Sequence, residues 1–99
     1  MNRIDKATAL LKHALDAIDF EINNPDVPET GPASRPQLIE FKRRLEKTLM
    51  LIDERGASIS KEEFLKNSVG HIIVDSWPYD MQLGNSILAA ENELRKALR

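Results

Sequence analysis

Two histidines, sixteen carboxylates and one tyrosine, with a scatter of hydroxyls and no cysteine, are the groups in this sequence that could move a proton or attack a substrate. His71 and Asp75 stand four apart, so on one helix face the carboxylate can hold an imidazole nitrogen. That is the orienting arrangement of hydrolytic triads and of metal-bound histidines. The same spacing also describes an ordinary helix-surface pair. A hydrolase built on His71 and Asp75 would further need an activated serine, and neither Ser68 nor Ser76 lies in a Gly-x-Ser-x-Gly elbow. His13, Asp16 and Asp19 recur at steps of three, the superficial spacing of divalent-metal ligands. Helical bundles usually build such sites from Glu-x-x-His, which is absent here, as are His-Glu-x-x-His and the calcium-loop pattern. The four glycines are scattered and form no phosphate-cradling loop. The expectation is therefore a protein without catalytic residues, metal or cofactor.

Charge is more informative than chemistry. The total is −2, which argues against a general polyanion binder. Its distribution is uneven: Asp16, Asp19, Glu21, Asp26 and Glu29 fall between residues 13 and 34 with no lysine or arginine among them. Arg35, Lys42, Arg43, Arg44 and Lys47 follow, against Glu40 and Glu46. Asp19 and Glu21 near the end of one helix, and Arg35 at the start of the next, oppose the helix dipoles, so local electrostatics did not select them. Two readings follow. Antiparallel packing can bring the two stretches together to neutralise one another, or the acidic stretch can steer a basic protein partner. Lys42-Arg43-Arg44 does not make a DNA-reading surface, because adjacent helical residues point about 100° apart. Trp77-Pro78-Tyr79, flanked by Asp75 and Asp80, pairs apolar bodies with polar tips as binding hot spots do, or else plugs the end of the core.

These residues have to be carried by helices. Ile4, Ala7, Leu11, Ala14, Ile18 and Ile22 recur at steps of three and four and predict a helix over 3–23, ended by Asn23-Asn24-Pro25. A polar, proline-rich connection spans 24–34. Ser34-Arg35-Pro36-Gln37 has the form of a capping box and opens a second helix over 36–55, with Leu38, Phe41, Leu45, Leu49 and Ile52 on its apolar face. Ser60 and Glu63 make a second capping box, with Ile59 and Phe64 at the positions of a hydrophobic staple, and open a third helix over 61–74. Gly70 and Ile72-Ile73-Val74 weaken that helix, but no other β-branched run offers a strand to pair with. A fourth helix over 77–98 takes Asp75 or Ser76 as its cap and carries Met81, Gly84, Leu88, Glu91, Leu94 and Leu98 on an imperfect apolar stripe.

Ninety-nine residues make a single domain, and the expected fold is an all-α antiparallel four-helix bundle over 1–99. There is no secretory-type leader and no apolar run long enough to cross a bilayer, so the expectation is a cytoplasmic protein without membrane contact. In size, helical organisation and acidic patch the chain resembles the small immunity proteins that neutralise nuclease bacteriocins. That resemblance implies a four-helix domain presenting acidic and aromatic residues to a basic toxin. Those proteins carry a Tyr-Tyr-Pro element after an aspartate, whereas this chain reads Asp75-Ser76-Trp77-Pro78-Tyr79, so no residue role is carried over.

The expected function is non-enzymatic binding or inhibition of another, basic protein through Asp16, Asp19, Asp26, Glu29, Asp75, Trp77, Tyr79 and Asp80, without specific nucleic acid. The alternatives are a self-assembling subunit, a homodimer included, whose first and last helices pair between chains, and a small hydrolase using His71 and Asp75.

Overall fold

A computed structural model describes residues 3–98 of the chain. It is all-helical: α1 (Arg3–Ile22), α2 (Arg35–Arg55), a 3-10 turn (Gly56–Ser58), α3 (Lys61–Asn67), α4 (Gly70–Ser76) and α5 (Gln82–Ala97). α1 lies at the centre, packed along α5 on one side and α2 on the other, while α3 leans on α2 and α4 on α5. Leu11 and Ile18 of α1, Leu38, Phe41 and Leu45 of α2, and Ile87 and Leu94 of α5 meet in one fully buried core. Burying each such side chain contributes about 1.5–3 kcal/mol. The buried stripes of α1 and α5 thus pack within one chain, while Phe20 near the end of α1 stays 77% exposed. Among the described residues, no helix is long and apolar enough to cross a membrane.

The first two helices follow the sequence reading. Ser34 caps α2 by accepting from the Gln37 amide at 3.4 Å. The Gln37 side chain does not return to the Ser34 amide, as a simple capping box would have it. Its Oε1 accepts from the Ala33 amide at 2.7 Å, and Ala33 adopts a left-handed φ of 58°. Ser60 likewise caps α3 through the Glu63 amide at 3.1 Å, with Ile59 and Phe64 buried on either side. The Glu63 carboxylate turns away to receive both of its bonds from Arg55, at 2.6 and 2.8 Å.

The second half departs from expectation. The helix expected over 61–74 is two short helices, broken at Ser68, whose ψ of 146° is extended. The break is imposed from α5: Glu91, 2% exposed, accepts the amides of Val69 and Gly70, each at 2.8 Å. Those amides would otherwise serve a continuous helix, and a buried carboxylate requires such partners. The helix expected from residue 77 starts only at Gln82, and neither Asp75 nor Ser76 caps it. Trp77 precedes a proline and is extended at ψ 152°, as that position favours. Among the described residues the bundle therefore has five α-helices where four were expected, and residues 77–81 form a turn between the last two.

Candidate partner-binding groove

The turn over 77–81 is anchored by Trp77. Its ring, 4% exposed, stacks on Phe41 of α2 with centroids 5.5 Å apart and an interplanar angle of 18°. Its Nε1 donates to Gln37 Oε1 at 2.8 Å. Trp77, expected on a binding surface, is thus a core residue, and its indole edge closes the bottom of a groove. Fixing Trp77 throws the next aromatic outward, and Tyr79 is 90% exposed.

The connection between α1 and α2 is fixed just as firmly. α1 has no basic residue in its last turn. Arg35 supplies one from the start of α2: its guanidinium donates to the Ile22 carbonyl, to the Asn24 carbonyl at 3.5 Å and to Glu29 Oε1 at 2.9 Å. A positive charge on the last carbonyls of α1 compensates that helix's dipole, so Arg35 is adverse for its own helix and favourable for its neighbour.

Between these two anchored segments lies an open groove of about 590 Å³. The buried Val27, Ala33 and Trp77 form its floor, and Val74, 57% exposed, and Tyr79 stand on its wall. Glu21, at the end of α1, and Asp75, on α4, supply its charge. Among the described residues neither carboxylate has an ion pair, although Glu21 Oε1 accepts from the Asn24 side-chain Nδ2 at 3.2 Å. An apolar floor with unpaired acids at its edge is suited to an apolar side chain next to a cation.

Of the residues expected at a binding surface, Asp75, Trp77 and Tyr79 line this groove. Asp19 and Glu29 are instead neutralised, by Lys42 at 2.6 Å and Arg35 at 2.9 Å, so for these two the packing of acidic against basic stretch prevails. Asp16 is exposed on α1 and Asp26 on the connection, outside the groove. Asp80 lies beside it, in a shallow depression with Leu10 and His13. Glu21 and Val74 were not singled out by sequence. Glu21 carried a signal as one of the five acids, whereas nothing in the β-branched run marked Val74 as the exposed member.

A second cleft, of about 580 Å³, separates α4 from α5 and is lined by His71, Asp75, Asn92 and Arg95, with Glu91 at its base. His71 and Asp75 are both exposed, and among the described residues no hydrogen bond joins them. The Glu91 carboxyl is held above the usual carboxylate range by its burial, against the opposing pull of the Val69 and Gly70 amides, the Ser68 hydroxyl and Arg95. Its hydrogen bonds come from the Val69 and Gly70 backbone and from Ser68, which makes it a structural cap for α4. Among the described residues, no cluster of three or more histidine and acidic side chains could hold a metal ion, His13, Asp16 and Asp19 included.

No protein-family model, curated protein or solved structure matches this chain, so a functional reading rests on the geometry alone.

Proposed function

We propose that this protein is a non-enzymatic helical domain that binds, and by binding masks, a partner protein, and that the partner docks in the groove between the α1–α2 connection and the Trp77 turn. The observation that carries this reading is the convergence of two segments some fifty residues apart in sequence. Each is locked from beneath, by Arg35 and by Gln37 with Trp77, while Tyr79 and Val74 stand out in solvent. Rigid anchoring beneath an exposed aromatic favours a binding hot spot, because the backbone that presents it has little left to order on docking. The unpaired Glu21 and Asp75 favour a basic partner and act mainly on association rate.

The test is affinity capture from cells of the source organism, comparing the natural protein with a Glu21→Lys, Asp75→Lys, Tyr79→Ala variant at equal helicity. A stoichiometric protein held by the natural chain, lost from the variant and released as salt rises supports the reading. Equal retention by both, or no retained protein, counts against it.

A further inference from the structure

The outer side of α2 carries a separate feature, none of whose residues lines the groove. Ile39 and Met50 are large apolar side chains left in solvent, 52% and 46% exposed. Arg43 and Glu46 stand between them, both exposed. Steps of four, three and four place these residues on one face of the helix, opposite the Phe41, Leu45 and Thr48 that α2 buries in its own core.

The order along this face is self-complementary. Ile39 and Met50 are placed symmetrically about a point between Arg44 and Leu45, and so are Arg43 and Glu46. A second α2 laid antiparallel across a two-fold axis at that point sets Ile39 against the partner's Met50 and Arg43 against the partner's Glu46. The symmetry makes each contact twice. Lys47, which among the described residues has no ion pair, then comes alongside the partner's Glu40 on the flank of the seam. In the monomer Glu40 is held down to about 2 by its hydrogen bonds from Arg43 and Arg44, so it stays charged and available to a further cation.

We propose that this face of α2 is the interface of an antiparallel homodimer, with a second copy of the chain as its occupant. Two apolar pairs and two central ion pairs, with Lys47 and Glu40 on the flanks, make a small interface, below the roughly 1,200 Å² of standard complexes, so the dimer is weak and loosened by salt. It leaves the groove open on each protomer and does not depend on what the groove binds.

Sedimentation equilibrium from about 10 µM to about 1 mM protein tests the proposal. The expected result is an average mass rising from one chain toward two. Arg43→Glu, which sets carboxylates against each other twice, returns the protein to a monomer, as does Met50→Asp. The double variant Arg43→Glu, Glu46→Arg restores the dimer. All of these positions are exposed, and circular dichroism confirms that the variants fold. A natural chain that stays monomeric throughout overturns the proposal, as does a dimer indifferent to Arg43→Glu or a charge-swapped double variant that remains monomeric.

Discussion

The indole nitrogen of Trp77 donates to the side-chain oxygen of Gln37 at 2.8 Å, and the same oxygen accepts the Ala33 amide at 2.7 Å. One acceptor atom thus ties the turn between α4 and α5 to the connection between α1 and α2, joining both walls of the groove. A glutamine at the start of α2 does more than cap its own helix, because it sets the distance between two segments that are far apart in sequence.

Replacing Gln37 with alanine leaves two donors without their acceptor and should cost about 1–3 kcal/mol for each that water cannot reach. Gln37→Glu keeps an acceptor oxygen in place and should lie close to the natural protein at neutral pH. Urea unfolding followed by the fluorescence of Trp77, the single tryptophan, measures both. Equal stability of Gln37→Ala and the natural chain would remove the tie from the account.

Glu91 predicts a pH dependence of definite sign. Burial raises its pKa above the ordinary 4.5, so the folded protein holds this proton more tightly than the unfolded chain does. Its contribution to stability is therefore complete below about pH 4.5 and is lost as pH rises through the elevated folded value. Measured against Glu91→Gln, the natural protein should lose relative stability across that window and then level off. A difference between the two that does not vary with pH would contradict the assignment. Glu91→Ala leaves the Val69 and Gly70 amides unpaired, at a cost of about 1–3 kcal/mol.

Gly84 lets α5 approach the Trp77 ring closely. A Cβ at that position would lie 3.0 Å from Trp77 Cε3 and 3.2 Å from Ile73 Cγ2, both rigid neighbours. Overpacking at Gly84→Ala should cost about 1–3 kcal/mol against the roughly 1 kcal/mol that alanine gains in helix propensity, a net loss of up to about 2 kcal/mol. Gly70→Ala meets Glu91 Oε1 at 2.7 Å and should displace the cap of α4. Thermal denaturation of each variant reads the effect, and a raised melting temperature for Gly84→Ala would show that the packing is looser than described.

The all-helical class and the limits of α1 and α2 were legible because apolar periodicity and end signals agreed there. The break at Ser68 and the late start of α5 were hidden, since both are imposed by contacts between residues far apart in sequence. Glu91 is the instructive case: a glutamate on an apolar stripe looked like an imperfection, yet it is the residue that divides α3 from α4. Arg35 is another. Its misfit with its own helix dipole was visible, but only the fold reveals that the C-terminus of α1 is what it serves. For the site, the acidic connection and the Trp77 turn were each conspicuous, while their meeting in one groove was not. The spacing between residues 21 and 79 carries no trace of it. The roles of Trp77 and Tyr79 could not be divided by sequence either, because both are amphipathic aromatics beside a proline. Burial sends one to the core and the other to solvent.

The central claim is that a partner protein docks over the Trp77 turn, and amide and indole chemical shifts of the labelled protein test it most directly when the captured partner is added. The Trp77 indole resonance is expected to move together with the amides of Glu21, Val27, Ala33, Val74 and Tyr79, and Glu21→Lys with Asp75→Lys to weaken the response. Shifts confined to His71, Asn92 and Arg95, with the Trp77 indole unmoved, would place binding in the cleft between α4 and α5 and contradict it.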